Sequence, residues 1–223
     1  MLLRRAHRRR TMRVENPVEG PELMTVQAGL PAYGDLKGFP ELVAKAVRAS
    51  REVGYEQACI PEVGRLLQVL VSSRTGIRVC ETGTACGVGA AWIASALDPS
   101  STLVTVELDA ERAAVSAGVL AGLTNVRTLT GDWSQLKPEG PFDLLFIDGG
   151  PAKSEWRGII GLSAPRALIV FDDLTPPHAW TDDQRRLYAD GDPVRDAWRG
   201  RPGFFVTEVM VTERASALLV ARC

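Results

Sequence analysis

The pattern of apolar and polar positions changes once along the 223-residue chain. Residues 36–53 and 61–70 carry apolar side chains at helical spacing, and Pro61 suits the first turn of a helix. From Ile77 onward, short apolar runs alternate with helical stretches. This alternation predicts a parallel sheet covered by helices on both faces, a doubly wound α/β fold.

Seven apolar runs are expected to supply the strands of this sheet. Five of them alternate with helices, which we expect after the first run, over 109–121 and over 154–162. A polar excursion, residues 175–203, follows the fifth run, and we expect one helix in it, over 193–199. The last two runs are separated only by a tight turn and therefore form an antiparallel hairpin. The seven runs cover residues 77–80, 102–107, 126–130, 142–147, 167–171, 204–212 and 215–222.

Length and composition favour one ordinary globular domain. The chain is 45% hydrophobic and 24% charged, and no internal linker divides it, so residues 14–223 are expected to form a single domain. We expect no membrane partner because no apolar run reaches membrane-spanning length. The four cysteines show neither zinc-ligand nor disulfide-framework spacing, and no apolar segment after Arg4 and Arg5 suggests secretion, so the expected location is the cytoplasm.

Residues 1–13 form a basic arm that contains six arginines and no acid, although the whole chain has a net charge of −1. A disordered tail, or translation from an upstream start, accounts for this arm. The alternative is an arm that binds RNA, either for an RNA-directed enzyme or for a binding module. Because residues 14–223 carry a net charge of about −7, the body would repel a phosphate backbone, and we expect no nucleic-acid partner.

The most informative stretch is E-T-G-T-A-C-G-V-G, which begins at Glu81. Glycines between a buried strand and a helix let the backbone approach a nucleotide closely. The spacing G-x-x-x-G-x-G differs from the dinucleotide fingerprint, and Glu81 would repel a pyrophosphate. A nicotinamide cofactor is therefore disfavoured, and a cationic ligand suits the carboxylate.

This stretch resembles motif I of class I S-adenosylmethionine methyltransferases, most closely the catechol and caffeoyl-CoA O-methyltransferase type. The resemblance extends over roughly 60–222 and implies a Rossmann-like, mostly parallel seven-stranded sheet with an antiparallel C-terminal strand. It implies that Glu107 holds the ribose, that Asp132 and Trp133 hold the adenine, and that Cys59 and Ile60 lie near the sulfonium. The full set of cofactor-binding residues that it implies is Cys59, Ile60, Glu81, Gly83, Thr84, Gly87, Gly89, Glu107, Leu108, Asp132, Trp133 and Asp148.

The same resemblance implies a site for a divalent cation, Mg²⁺ above all, at Asp148, Asp172 and Asp173. These acids follow the fourth and fifth predicted strands, and Mg²⁺ prefers such oxygen ligands. The implied reaction is metal-assisted O-methylation of a small acceptor, a phenol- or catechol-like hydroxyl, because a cation stabilises the attacking oxyanion. Metal-independent methylation of a small molecule is the alternative, and a homodimer is left open.

The candidate catalytic residues depart from the family pattern. The family places a general-base lysine three residues after the strand-four acid, whereas Lys153 follows Asp148 by five, after Gly149, Gly150 and Pro151. We name Lys153 as the candidate base, with a solvated surface lysine as the alternative. His178, in the polar excursion, is a second candidate as a base or a metal ligand. Amino methylation of nucleobases is disfavoured because no N-P-P-[FY] motif follows the fourth strand.

Overall fold

A computed structural model describes residues 29–223, and the predicted basic arm lies outside this range. Eight α-helices and seven strands are present in the described part. They follow one another as α1 (Glu41–Glu52), α2 (Pro61–Ser72), β1 (Arg78–Thr82), α3 (Val88–Ala94), β2 (Thr102–Glu107), α4 (Ala110–Leu120), β3 (Val126–Thr130), β4 (Phe142–Ile147), α5 (Gly150–Ser154), α6 (Trp156–Leu162), β5 (Ser163–Leu174), α7 (Asp182–Leu187), α8 (Pro193–Trp198), β6 (Phe204–Met210) and β7 (Ser216–Arg222). Short 3₁₀ turns lie at Leu30–Tyr33, Trp133–Glu139 and Pro177–Ala179.

The strands form one seven-stranded sheet in the order β3-β2-β1-β4-β5-β7-β6. The first five strands are parallel, and β7 lies between β5 and β6, antiparallel to both. The predicted fold class is therefore confirmed. The central strands bury both faces: Val79 packs into one apolar layer and Cys80 into the other, which explains why their sequences are continuous apolar runs.

Four elements differ from the sequence-based expectation. Helix α1 begins at Glu41 rather than at 36, because Gly38 has φ +77° and Pro40 precedes the helix. The helix expected over 154–162 is two short helices that meet at Glu155. Strand β5 continues to Leu174, and the polar excursion contains α7 as well as α8, with a capping box at Thr181.

A buried aromatic pair fixes the segment that enters α2. The Tyr33 hydroxyl donates to the Cys59 carbonyl at 2.6 Å and accepts from the Trp92 indole N–H at 2.8 Å. Burial raises the pKa of Tyr33 far above its usual value, so the phenol remains a donor. The N-terminal 3₁₀ turn thereby positions the residues just before α2 against α3. Within residues 29–223, no helix is both long and apolar enough to cross a membrane.

Candidate functional site

A cavity of about 270 Å³ lies at the carboxyl ends of β1, β2 and β4. Ligands of open α/β sheets bind at this edge, outside the strand ends. Its wall combines the glycine turn after β1, the acids at the strand ends and the segment before α2. The lining residues include Tyr55, Gln57, Cys59, Gly83, Thr84, Gly89, Glu107, Leu108, Arg112, Asp132, Trp133, Asp148 and Asp173.

The glycine turn is shaped by contacts that no side chain would permit. A Cβ on Gly83, which has φ +80°, would lie 2.6 Å from the Gly149 nitrogen. A Cβ on Gly89 would lie 2.3 Å from Oε1 of Glu81. Real Cβ atoms do not approach other heavy atoms this closely. The glycine turn therefore packs directly against the ends of β1 and β4. The cavity floor is consequently bare backbone, as the nucleotide pocket predicted from the sequence requires.

Glu107 is held in a fixed orientation at the end of β2. Its Oε2 accepts from the Ala85 N–H at 2.8 Å, and its Oε1 accepts from the Asp109 N–H at 2.9 Å. Arg112 donates to Oε1 from both Nε (3.2 Å) and Nη2 (2.9 Å). The Arg112 guanidinium also lies 5.2 Å from the Tyr55 ring centroid. Glu107 is thus an oriented, charge-compensated acceptor in the cavity wall.

Glu81 is completely buried beneath the glycine turn and does not line the cavity. Its Oε2 accepts from the Thr105 hydroxyl, whereas Oε1 has no hydrogen-bond partner. Burial raises the pKa of Glu81 to about 8, and the hydrogen bond from Thr105 opposes this shift only in part. The sequence predicted that Glu81 contacts a cationic ligand directly. In the structure, Glu81 instead lies below the cavity floor, against Gly89.

Asp132 and Trp133 border the cavity beyond β3. Asp132 accepts from the Ser134 N–H at 2.9 Å, and hydrogen bonding from the side chain and the backbone of Ser134 holds the pKa of Asp132 below its usual value. The Trp133 ring packs on Gly158 of α6, where a Cβ would lie 2.2 Å from the ring. The indole face is therefore anchored from outside the cavity.

Three carboxylates converge where β4 and β5 end. One oxygen from each of Asp148, Asp172 and Asp173 lies within 4.8 Å of the others. Asp173 has φ +56°, a left-handed conformation that turns it back toward Asp148. Burial and mutual repulsion raise the pKa of Asp148 well above its usual range, and burial together with Asp173 raises that of Asp172. This donor set suits a hard divalent cation.

The ammonium of Lys153 forms ion pairs with two of these acids. Its Nζ lies 3.3 Å from Asp173 and 3.9 Å from Asp148, and the side chain is only 3% exposed. The Gly149-Gly150-Pro151 turn starts α5 and directs Lys153 inward, so the alternative of a solvated surface lysine is wrong.

A second, smaller cavity adjoins the acid cluster beneath the polar excursion. Asp173 and Gly150 line both cavities, so the two spaces meet at the acids. The outer wall contains Trp180 and Tyr188, whose ring centroids are 5.1 Å apart. Behind them, the buried Arg195 donates to Asp192, to Glu208 and, at 2.9 Å, to the Thr175 carbonyl. This network fixes the excursion against the end of β5.

The structure brings most of the predicted site residues together. Of the twelve residues predicted to bind the cofactor, nine line the larger cavity, while Ile60, Glu81 and Gly87 do not. The three predicted metal ligands and Lys153 form one cluster. His178 is not part of it: the side chain is exposed and its Nε2 lies 3.1 Å from the Glu213 carbonyl oxygen. A 3₁₀ turn carries His178 to the surface, which gives no support to a catalytic or metal-binding role.

Several cavity residues escaped the sequence analysis. Tyr55 and Gln57 lie in an irregular segment without a motif, and Trp180 and Tyr188 lie in the polar excursion. The sequence contains a weak indication that Arg112 belongs to the site. This residue lies in the first turn of α4, shortly after Glu107 at the end of β2. Nothing in a single sequence indicates that these side chains meet.

The sheet order, the glycine turn and the acid-terminated strands define the fold of class I methyltransferases. A family profile described as "Methyltransferase domain" matches residues 80–174. The catechol O-methyltransferase of Niastella koreensis is 32% identical over an alignment of 153 positions, and the match covers 63% of this chain and 69% of that protein. The chain therefore belongs to the S-adenosylmethionine-dependent O-methyltransferases of the catechol O-methyltransferase type.

Solved structures agree with this family. The structure of cofactor-bound Rv0187 from MTB has a TM-score of 0.69 and 25% identity, over 85% of this chain and 93% of that chain. The O-methyltransferase TomG from Streptomyces achromogenes, involved in tomaymycin synthesis and solved in complex with SAM, has a TM-score of 0.65 and 25% identity. This similarity covers 87% of this chain and 95% of TomG.

Proposed function

We propose that the protein transfers the methyl group of S-adenosylmethionine to a phenol- or catechol-like hydroxyl of a small acceptor, with a divalent cation bound by Asp148, Asp172 and Asp173. The observation that carries the proposal is the position of these acids. Asp148 and Asp173 line the larger cavity, and Asp173 also lines the smaller one. A cation held there would stand between the cofactor and the acceptor.

The larger cavity fits S-adenosylmethionine by its chemistry. Glu107 presents two oriented oxygens, and the two ribose hydroxyls are the donors that they suit. Trp133 offers an apolar face and a backbone N–H for the adenine. When bound, S-adenosylmethionine supplies an electrophilic methyl group on a sulfonium. The contribution of the protein is alignment, because displacement at that methyl carbon requires the acceptor oxygen in line with it.

The acid cluster fits Mg²⁺ by the number and type of its ligands. Three carboxylate oxygens within 4.8 Å provide the hard donors that Mg²⁺ prefers. When bound, the cation would stabilise the acceptor as its oxyanion. Repulsion among the acids is the cost of holding them together, and burial together with this repulsion raises the pKa of Asp148 and of Asp172.

The smaller cavity is the proposed entrance for the acceptor. Its aromatic wall, Trp180 and Tyr188, suits a planar ring, and such contacts stabilise aromatic pairs by roughly 0.5–1.5 kcal/mol. Lys153 lines this cavity and contacts the acids, so it is the proposed group that meets the acceptor hydroxyl. After it has released its own proton to solvent, the neutral amine would accept the proton of that hydroxyl. The smaller cavity and the acids together support an acceptor site at this edge of the sheet.

Metal-independent methylation of a small molecule is the second candidate. The observation in its favour is the ammonium of Lys153, which already compensates the charges of Asp148 and Asp173. In that case, Lys153 alone would orient the acceptor hydroxyl.

Two measurements test the proposal. Calorimetry with S-adenosylhomocysteine should show binding to the folded protein, and absence of binding at millimolar concentration would end the proposal. A panel of catechols, phenolic acids and polyketide-like phenols, read out as S-adenosylhomocysteine release, should identify the acceptor. Activity should then be lost with a chelator and restored by Mg²⁺, whereas activity that persists under chelation selects the metal-independent candidate.

A matched pair of variants tests the metal ligands. Asp172→Asn should abolish Mg²⁺-dependent activity while S-adenosylhomocysteine still binds. Asp183→Asn, which changes an exposed acid of α7, should leave both unchanged.

A further inference from the structure

Lys153 is buried among the acids of the proposed metal site. Only 3% of its side chain is exposed, and lysines are almost never buried to this degree without a charge partner. Its partners are Asp173, at 3.3 Å, and Asp148, at 3.9 Å. Both of these acids are proposed metal ligands, so the Lys153 ammonium and a bound metal ion would interact with the same two carboxylates.

Within residues 29–223, Lys153 is the basic side chain on which the charge of this cluster depends. Among the ion pairs of residues 29–223, Lys153 is the one basic residue that contacts Asp148 or Asp173, and none contacts Asp172. Three carboxylates that are free of metal therefore depend on this single ammonium. Its fixed position is explained by α5, whose five residues start at the Gly149-Gly150 turn and bring Lys153 back over β5.

The distances bring a bound cation close to the ammonium. Mg²⁺ binds carboxylate oxygens at about 2.1 Å. If it binds the Asp173 oxygen that Lys153 contacts at 3.3 Å, the two positive charges lie at most about 5.4 Å apart. At such a separation, and away from bulk water, like charges repel strongly. Lys153 and the metal thus cannot both occupy their best positions on Asp173.

We infer that Lys153 is an internal counter-ion that competes with the divalent cation for Asp148 and Asp173. It holds the acids together when no metal is bound, and it weakens metal binding, because the cation must displace it from Asp173. The smaller cavity, which Lys153 also lines, offers the space into which the displaced amine moves. This inference rests on the proposed metal site and deepens it, since metal loading would turn Lys153 from the acids toward the acceptor.

Metal titration of charge variants tests the competition directly. Free Mn²⁺ is measured by electron paramagnetic resonance while the folded protein is added, so that no acceptor and no turnover are needed. We expect Lys153→Met and Lys153→Gln to bind Mn²⁺ at least about tenfold more tightly than the unchanged protein, because a nearby positive charge has been removed. Lys153→Arg, which keeps the charge, should bind no more tightly than the unchanged protein. Lys37→Met, which removes an exposed lysine paired with Asp35, is the matched control and should leave the affinity unchanged.

A second readout follows from the role of the ammonium without metal. In the presence of a chelator, Lys153→Met should melt at a lower temperature than the unchanged protein, because three acids are left uncompensated. Addition of Mg²⁺ should then raise its melting temperature by more than it raises that of the unchanged protein. The Lys153→Met and Lys153→Gln variants are first shown to be folded by their binding of S-adenosylhomocysteine. The proposed ribose and adenine contacts of this ligand do not include Lys153.

The outcomes separate this inference from the proposed function. If Mn²⁺ binds the unchanged protein and the Met and Gln variants equally well, or binds the variants more weakly, the competition is refuted and the metal site stands. If neither the unchanged protein nor the variants bind Mn²⁺, the competition and the metal site both fall. In that second case, binding of S-adenosylhomocysteine still decides whether methyl transfer survives.

Discussion

Oε1 of Glu81 lies directly against Gly89, so close that a Cβ on this glycine would be 2.3 Å from the oxygen. The contact couples the end of β1 to the first turn of α3, across the floor of the cofactor cavity. It also explains why Glu81 is buried without a full set of hydrogen bonds: the space that a partner would need is filled by helix backbone.

Gly89→Ala should damage both stability and cofactor binding. The new Cβ would overlap Glu81 and lie 3.0 Å from the Phe146 ring, and such overpacking costs about 1–3 kcal/mol. Urea unfolding and calorimetry with S-adenosylhomocysteine measure the two effects. The matched control is Gly118→Ala in α4, where nothing lies within 4 Å of the new Cβ, and stability should stay equal or rise by up to about 1 kcal/mol. Equal stability of the two variants would contradict the contact.

The buried Glu81 should make the metal-free, cofactor-free protein less stable as the pH rises. Its pKa is about 8 in the folded chain and 4.5 without burial, so between these values the folded state keeps a proton that the unfolded state has released. The stabilisation is complete below about pH 4.5 and is lost as the pH rises through 8, with an amplitude of about 5 kcal/mol. The difference in unfolding free energy between the unchanged protein and Glu81→Gln, measured in urea from pH 5 to 8, should fall with pH. A flat difference would refute the shift.

Glu107→Gln should weaken S-adenosylhomocysteine binding about tenfold or more, because a charged acceptor of the proposed ribose bonds is lost. The amide would also bring a donor to a place where the Ala85 N–H, the Asp109 N–H and Arg112 already donate. Calorimetry measures the change. Glu111→Gln, in the first turn of α4 and outside the cavity wall, should bind as the unchanged protein does. Equal affinities for both variants would argue against the ribose role.

Arg195→Met should destabilise the protein by about 3 kcal/mol, because Asp192 and Glu208 would be left buried or half-buried without their partner. Thermal and urea unfolding measure the loss. Arg199→Met is the matched control: this arginine is exposed and lies 3.8 Å from the same Glu208, so we expect a change of less than about 1 kcal/mol. Similar losses in both variants would mean that burial does not set the strength of this network.

A chain that begins at Met24 should keep the cofactor affinity and small-molecule activity of the full chain. Residues within 29–223 supply the glycine turn, the acids and the aromatic side chains that line the two cavities. Calorimetry and S-adenosylhomocysteine release compare the two proteins. Loss of activity with intact cofactor binding would speak for a role of the arm in holding the acceptor and against the small-molecule assignment.

The sequence by itself determined the sheet and the edge at which the site lies. The β2 run, residues 102–107, and the β4 run, 142–147, were predicted with their observed bounds, because a buried parallel strand needs apolar residues on both faces. Acids that follow such strands lie at one edge of a parallel sheet, and the family resemblance implied that Asp148, Asp172 and Asp173 form one group there. The structure brings these three side chains together.

Only the tertiary structure decided which way individual side chains face and what fills the space around them. Lys153 could point outward or inward, and its burial follows from the turn that starts α5 and from the nearby acids of β4 and β5. Trp180 and Arg195 come to the site because the polar excursion folds back on β5, through contacts between residues distant in sequence. Local periodicity specifies elements, whereas such long-range contacts depend on packing that no short segment encodes.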